Sequence, residues 1–113
     1  MKLSCFILTK NNARSIRYAL ESVHNYVDEV VIVDSGSTDA TLDIAREYTD
    51  RIFYNELVDF SEQRNFAIKK CRGEWIFFLD ADEVVGENFT DAFKYFDKRY
   101  RSLLMPRYSI IKY

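Results

Sequence analysis

The stretch Trp75-Ile-Phe-Phe-Leu-Asp-Ala-Asp-Glu-Val-Val85 is a run of large apolar residues that ends abruptly in a cluster of carboxylates. In an extended segment, residues two apart point to the same side, so Asp80 and Asp82 are expected to face one point while Glu83 points elsewhere. Two like charges held that close either raise a pKa or bind a cation. A hard divalent ion with oxygen ligands is the natural partner, and the alternative is a solvated acidic loop.

Around this stretch, the chain alternates between two kinds of apolar pattern. Short and nearly continuous apolar runs predict strands at residues 3–8, 29–33, 51–54 and 75–79. Helical spacing and candidate caps predict helices at residues 15–27, from Asp39 to about residue 48, from Ser61 to a left-handed cap near Gly73, and at 88–100. Weaker strand patterns follow at residues 103–105 and 109–111. This alternation predicts an α/β domain, in which a mainly parallel sheet carries helices on both faces.

The composition is that of one globular domain. The chain has 113 residues with only three glycines and one proline, so we predict a single domain over residues 1–113. The net charge is −2 and the basic residues are scattered, which argues against binding of nucleic acid or an anionic membrane. No apolar run could span a membrane, and no signal-peptide pattern is visible. Cys5 and Cys71 are predicted to be buried free thiols, which indicates a reducing, cytoplasmic setting.

Polar clusters follow three of the predicted strands at the point where each strand ends. They are Thr9-Lys10-Asn11-Asn12, Asp34-Ser-Gly-Ser-Thr-Asp39 and Asp80-Ala-Asp-Glu83. Alone, each of the first two could be an ordinary turn with a helix cap. Because parallel strands place their carboxyl ends at one edge, where such sheets bind ligands, the three clusters together indicate a site. Few protein ligands are offered, so Mg²⁺ or Mn²⁺ would share the phosphate oxygens of a nucleotide.

These segments resemble family 2 glycosyltransferases, which have the GT-A fold, a Rossmann-like nucleotide-diphospho-sugar transferase fold, and use inverting chemistry. Four motifs in the right order carry the resemblance, at residues 7–11, 28–39, 61–67 and 75–83. The resemblance runs from about residue 3 to residue 107 and is nearest to the glucosyltransferases of the lipopolysaccharide core and cell envelope.

The resemblance implies a UDP-sugar donor and roles for individual residues that would hold its nucleoside. Thr9 and Asn11 would line the nucleobase and ribose pocket. Asp34, followed by Ser35, would accept the N3–H of uracil. Arg64 would approach the base or the diphosphate from its helix.

The resemblance also implies that Asp80-Ala81-Asp82 is a metal-binding motif for Mn²⁺ or Mg²⁺. Asp82 would ligate the metal, Asp80 would face the ribose or the metal with its bound water, and Ala81 would lie against the donor. Two departures from the family pattern are small. Asn12 stands where many relatives carry an acidic residue, and Ala40 stands where Gly is frequent, so a left-handed backbone is not expected at residue 40.

The catalytic base of the family is a carboxylate on a later segment. The catalytic residues are therefore unknown here, and the base is expected beyond Tyr113. We therefore interpret the chain as the N-terminal, donor-binding part of a longer enzyme. The expected acceptor is a saccharide or a lipid-linked saccharide in the synthesis of lipopolysaccharide or cell-envelope polysaccharide, and the full enzyme could associate peripherally with the inner face of the cytoplasmic membrane.

Two other functions are compatible with the same residues. A non-catalytic module that binds sugar nucleotides would need the donor site and no base. A Mg²⁺-dependent phosphoryl-transfer domain could hold a phosphorylated Asp in the acidic pocket, with Lys10 and Thr9 in support.

Overall fold

The computed structural model describes residues 3–86 of the chain and the backbone of residues 110–112. Its elements, in chain order, are β1 (Leu3–Thr9), α1 (Ile16–Val23), β2 (Glu29–Asp34), α2 (Thr41–Ala45), β3 (Ile52–Tyr54), α3 (Phe60–Lys70), β4 (Trp75–Phe78), β5 (Glu83–Val85) and β6 (Ile110–Lys112). The predicted helix at residues 88–100 and the predicted strand at 103–105 lie outside the described residues. The weak strand pattern at residues 109–111 corresponds to β6, which pairs antiparallel with the unpredicted strand β5.

Four of the strands form one parallel sheet in the order β3-β2-β1-β4. Thr9 is the register partner of Asp34, and Asp34 is the partner of Tyr54, so β1, β2 and β3 end level with one another. Along the chain, β2 and then β3 are added on one side of β1, and β4 is then added on the other side of β1. Sheets of this kind bind ligands at the carboxyl ends of the strands, at the point where the strand order reverses.

Side chains of the central strand β1 alternate between the two faces of the sheet. Cys5 and Ile7 belong to a buried cluster shared with α1 and α2. Phe6 faces the other way and packs with Val33 and with Ala67 of α3. Helices therefore cover both faces, and the predicted α/β architecture is confirmed. No helix within residues 3–86 has the length and apolar character that crossing a membrane would require.

Helix α3 begins and ends differently from the prediction. Asp59, not Ser61, is its N-cap, because the Asp59 carboxylate accepts a hydrogen bond from the backbone N–H of Glu62 at 2.8 Å. The predicted left-handed cap near Gly73 is wrong. The chain leaves the helix at Cys71 with an extended backbone that leads directly into β4, so no reversal is needed. Among the described residues, positive φ angles occur only at Asn11 and Gly36.

The other two helices are shorter than predicted. Helix α1 ends at Val23 rather than near residue 27, and α2 spans only Thr41–Ala45. Val27 and Tyr48 still pack against the buried cluster, so the apolar stripe was read correctly although the last turns are not helical. Asp39 is not the N-cap residue, although its carboxylate accepts a hydrogen bond from the backbone N–H of Thr41 at 3.0 Å. The N-cap position is Ala40, with a φ of −79°, and the absence of a left-handed backbone there is confirmed.

A carboxylate joins three segments at the opposite, amino-terminal edge of the sheet. The side chain of Glu29 is 6% exposed and accepts hydrogen bonds from the Ser4 hydroxyl, the backbone N–H of Arg72 and Nε of Arg72. Nε of Arg51 lies 3.7 Å from the same carboxylate. Burial acts to raise the pKa of Glu29, but the hydrogen bonds from Arg72 and Ser4 outweigh it and lower the pKa.

Candidate functional site

The loop after β1 is folded around the side chain of Asn12. Oδ1 of Asn12 accepts hydrogen bonds from the hydroxyl of Thr9 at 2.6 Å and from the backbone N–H of Lys10 at 3.1 Å. The backbone N–H of Asn12 donates to the hydroxyl of Thr41, at the start of α2. An acidic side chain could accept the same two hydrogen bonds, which explains why an amide is compatible with this position.

Asn11 links the loop after β1 to the loop after β2. Its φ is 55°, a left-handed backbone that Asn tolerates better than most residues. Its side-chain Oδ1 accepts hydrogen bonds from the backbone N–H groups of Thr38 and Asp39 at 2.8 and 3.3 Å, and its own N–H donates to the hydroxyl of Ser37. The side-chain oxygen of Asn11 is therefore engaged in holding the second loop.

Asp34 is buried under that second loop. It is 2% exposed, and its carboxylate accepts hydrogen bonds from the backbone N–H groups of Gly36 and Ser37, both at 2.9 Å, and from the hydroxyl of Ser37. Gly36 has a φ of 121°, a conformation that favours glycine. This geometry does not fit the predicted contact between Asp34 and uracil, because the carboxylate is enclosed and already has three donors. Asp34 shapes the loop instead.

The acidic segment after β4 is a turn rather than an extended chain. The backbone N–H of Glu83 donates to the carbonyl of Asp80 at 3.0 Å, and the N–H of Asp80 donates back to the Glu83 carboxylate at 2.9 Å. The carbonyl of Ala81, a buried residue, accepts a hydrogen bond from the hydroxyl of Ser15 at 2.8 Å. The extended geometry that was expected to aim Asp80 and Asp82 at one point is not present, because the Glu83 carboxylate reaches back to close the turn.

The carboxylates of Asp80 and Asp82 are the oxygen ligands that this turn can offer to a cation. Within residues 3–86, no three side chains of the metal-ligating types are grouped so that they alone could hold an ion. A donor set of two carboxylates fits Mg²⁺ or Mn²⁺, which proteins commonly bind through one or two carboxylates together with substrate phosphates. That Asp80 and Asp82 hold a metal therefore stays a prediction.

Two adjoining cavities open beside these loops and form what we call the rim groove. The first, of about 230 Å³, is lined by Leu8, Thr9, Lys10, Asn12, Ser35, Leu57, Phe60 and Gln63. The second, of about 250 Å³, is lined by Leu8, Phe60, Arg64, Phe78 and Asp80. Small-molecule sites usually occupy roughly 300–1,000 Å³, a size that neither cavity reaches alone and both reach together. The second cavity lies at the ends of β1 and β4, where the strand order reverses.

The rim groove collects some of the predicted site residues and not others. Those that line it are Thr9, Ser35, Arg64 and Asp80. Those that line neither cavity are Asn11, Asp34, Ala81 and Asp82. Sequence reasoning missed Leu57, Phe60 and Gln63, which flank the Asp59 cap. A correct assignment of that cap would have placed the first turn of α3 at the same edge as the polar clusters.

A larger cavity of about 350 Å³ lies at the opposite edge of the sheet, beside Glu29. The charged groups that line it are largely paired. The Asp28 carboxylate accepts the backbone N–H of Leu3 at 2.6 Å, and Glu29 is paired with Arg72. Arg51 donates to the carbonyl of Lys70. We interpret this cavity as part of the charged network that closes the sheet edge, not as a substrate site.

A sequence model of the family described as Glycosyl transferase family 2 matches residues 4–112 of the chain. A glycosyltransferase of Rickettsia felis is 40% identical over 94 residues, which are 83% of this chain and 33% of that protein. LpsC, a lipopolysaccharide core biosynthesis glycosyltransferase of Rhizobium meliloti, is 36% identical over 88 residues, 74% of this chain and 32% of that protein. The chain thus spans about a third of the length of the curated relatives that it matches.

Solved structures show the same architecture. S. aureus TarS 1–349 in complex with UDP-GlcNAc has a TM-score of 0.68 at 31% identity, covering 88% of this chain and 32% of that one. Glucosyl-3-phosphoglycerate synthase from Mycobacterium tuberculosis, in complex with Mn²⁺ and UDP-glucose, has a TM-score of 0.65 over 80% of this chain and 37% of that one. Its identity is 20%, so this likeness concerns the fold alone.

Proposed function

The chain belongs to glycosyl transferase family 2, and we propose that it forms the part of a glycosyltransferase that binds a UDP-sugar donor. The observation that carries the proposal is the rim groove. Its second cavity is lined by Arg64 and Asp80 and lies at the point where the strand order of a parallel sheet reverses, next to the first cavity, which Thr9 and Ser35 line. The relative that was solved with UDP-GlcNAc supports the choice of donor class.

The diphosphate would lie at the second cavity. Arg64 is exposed on α3 and could pair with phosphate oxygens through its planar guanidinium. Asp82 and Asp80 would hold Mn²⁺ or Mg²⁺, at a turn that Glu83 closes and Ser15 anchors. Such an ion, when bound, neutralises negative charge that develops on a leaving diphosphate.

For the whole enzyme we propose inverting transfer, in which an acceptor hydroxyl attacks the sugar C1 from the face opposite the diphosphate. We further propose that a general base outside residues 3–86 takes the hydroxyl proton. The acceptor that we favour is a saccharide or lipid-linked saccharide of the cell envelope, since LpsC is a lipopolysaccharide core glycosyltransferase. A cytoplasmic setting is consistent with Cys5 and Cys71, which are both free thiols.

The phosphoryl-transfer alternative is less well supported by the geometry. It needs the Thr9 hydroxyl near a phosphorylated carboxylate, but this hydroxyl is committed to Asn12 at 2.6 Å, and Thr9 is 5% exposed. A non-catalytic sugar-nucleotide module would use the same groove, and activity measurements on the whole protein would separate it from the enzyme.

The proposed function is tested by calorimetric titration of UDP with Mn²⁺ in excess and, separately, with a chelator. We expect the ion to strengthen UDP binding, because the two carboxylates alone would repel the diphosphate. Asp82→Asn should remove most of that gain, about tenfold or more, as is usual for mutations around metal sites. Asp50→Asn, an exposed acidic residue at the opposite edge, is the matched control and should behave like the unmodified chain. Equal UDP affinity under both conditions would contradict the proposed metal site.

A further inference from the structure

Phe60 is an aromatic residue without the burial that aromatic residues usually have. It is the first residue of α3 and is 66% exposed. The hydrogen bond between the Asp59 carboxylate and the N–H of Glu62 holds the start of the helix, so the backbone at Phe60 is well defined. Exposed apolar surface that is bordered by polar groups often marks a binding site.

The position of Phe60 in the rim groove narrows the kind of ligand that would cover it. Phe60 and Leu8 line both cavities, so they lie at the boundary between the side that holds Asp80 and Arg64 and the side that holds Ser35. Among the residues that the structure describes, Phe60 is also the only aromatic one that lines the first cavity. A ligand whose phosphate groups lie in the second cavity and whose other end extends into the first cavity must therefore pass along Phe60.

The polar groups of the first cavity leave an opening for a flat ring with a polar edge. The hydroxyl of Ser35 lies 3.5 Å from the carbonyl of Thr9, a long contact that leaves the hydroxyl able to bond a ligand. The side-chain amide of Gln63 accepts a hydrogen bond from Nδ2 of Asn55 and donates one to the backbone carbonyl of Asn55. Gln63 is therefore a fixed part of the cavity wall. The side chain of Asn12 is engaged with Thr9 and Lys10, so it offers no face for stacking.

We propose that Phe60 is the platform on which the nucleobase of the donor stacks, with the polar edge of the base toward Ser35. The inference rests on the proposed function, because it assumes that a nucleoside diphosphate occupies the groove. Stacking needs only a π-face and is tolerant of the base. Phe60 thus contributes affinity, while discrimination between bases falls to the polar end of the cavity.

The experiment compares two ligands that differ only in whether a nucleoside is present. Titrations of UDP and of inorganic pyrophosphate, both with excess Mn²⁺, are carried out on the unmodified chain and on Phe60→Ala. Loss of base stacking in Phe60→Ala should lower the affinity for UDP by about fivefold to a hundredfold. Pyrophosphate affinity should be unchanged, because pyrophosphate has no base.

Variants at the same and at a neighbouring position control for effects on folding. Phe60→Tyr keeps an aromatic face and should retain UDP affinity, whereas Phe60→Leu keeps apolar bulk without the face and should lose part of it. Val58→Ala removes an apolar side chain that is 77% exposed and lines neither cavity, so it should change nothing.

The outcomes separate this inference from the function on which it rests. If the unmodified chain binds UDP and Phe60→Ala binds it equally well, Phe60 is not the platform, while the proposed function stands. The inference is also overturned if Phe60→Ala weakens pyrophosphate as much as UDP, since Phe60 would then act on the fold of the groove. If the unmodified chain binds pyrophosphate as tightly as it binds UDP, the nucleoside adds no affinity and the donor assignment itself fails.

Discussion

At the scale of single residues, Asp34 shows how hydrogen bonding decides between two roles for one carboxylate. A position at the end of β2 is compatible with contact to a uracil ring, and the sequence analysis predicted that contact. The carboxylate instead accepts three hydrogen bonds from Gly36 and Ser37 and is nearly inaccessible to solvent. Its effect on a ligand would be indirect, through the shape of the loop that it holds.

The first residue-scale prediction distinguishes these two roles of Asp34. Asp34→Ala leaves the N–H groups of Gly36 and Ser37 without the acceptor that the carboxylate provides, so the free energy of unfolding should fall by about 1–3 kcal/mol. Asp34→Asn should lower the free energy of unfolding less, because an amide oxygen can accept hydrogen bonds from both N–H groups. Urea unfolding measures the difference.

The same pair of variants also tests the uracil contact. A side chain that only shapes the loop should leave the ratio of UDP to CDP affinity unchanged in Asp34→Asn. If that ratio collapsed while stability was kept, the originally predicted contact between Asp34 and uracil would be restored.

At the scale of elements, helix α1 supports the acidic turn from behind. The Ser15 hydroxyl donates to the carbonyl of Ala81 at 2.8 Å, and the Ser22 hydroxyl accepts the N–H of Val85 at 2.9 Å. The two serines are seven residues apart in the sequence and hold the two ends of the segment 81–85. The packing of α1 on the sheet therefore sets the place of Asp80 and Asp82.

This support predicts a specific effect of Ser15→Ala. Losing the hydrogen bond to Ala81 should loosen the turn and reduce the Mn²⁺-dependent gain in UDP affinity by about fivefold, the equivalent of one ordinary hydrogen bond of roughly 1 kcal/mol. UDP affinity measured with a chelator should not change. Ser61→Ala, on α3 and outside both cavities, serves as the control. An equal loss with and without the ion would mean that Ser15 affects the groove as a whole.

The charged network at the opposite edge gives a prediction for pH. The pKa of Glu29 is lower in the folded chain than in the unfolded chain, where a Glu carboxyl titrates near roughly 4.3. The stability that Glu29 contributes is thus fully present above that value and is lost as pH falls through the folded-state pKa.

Glu29→Gln should therefore be less stable than the unmodified chain at pH 7, by about 1–3 kcal/mol, because Ser4 and Arg72 lose a charged acceptor that is itself buried. The two unfolding curves should converge as pH falls below about 4.3. Urea unfolding at pH 7 and at pH values below 4 provides the measurement, with Glu56→Gln as an exposed control. A difference that is independent of pH would show that the charge of Glu29 does not contribute.

The elements also show how far sequence reasoning reaches. Apolar runs and helical stripes located β1 to β4 and the inner face of α1, because burial on a sheet imposes its own period. The cap of α3 was misassigned because Asp59 and Ser61 are both good capping residues and only the backbone angles choose between them. The left-handed backbone of Asn11 depends on contacts with a loop that is distant in sequence, which no local pattern encodes. The turn closed by Glu83 joins residues only three apart and was missed because the segment was read as extended.

At the scale of the whole molecule, the described site residues all precede β5. The groove that we propose for a nucleoside diphosphate is thus built by about the first 80 residues described, while the chain spans about a third of the length of its relatives. Donor binding and transfer to an acceptor are expected to depend on different parts of the complete enzyme.

This separation predicts that a polypeptide of residues 1–113 binds UDP-sugar but transfers it to an acceptor at no useful rate. Loss of a general base alone typically costs about 10²- to 10⁴-fold, and loss of acceptor positioning costs further rate. UDP release would be followed with and without cell-envelope saccharides, with a full-length relative as the positive control. Rapid, acceptor-dependent release by the 113-residue polypeptide would place the base within it.

The strand order β3-β2-β1-β4 also has a consequence for how the chain is made. β1 leaves the ribosome before the other three strands of this sheet, yet one of its edges can be paired only after residues 75–78 have been synthesised. Until then the nascent chain carries an apolar strand with an open edge, a feature that favours pairing between chains. The rim groove, which lies at the end of β1, is accordingly among the last parts of the described sheet to form. The need for chaperones during synthesis should be highest just before β4 emerges.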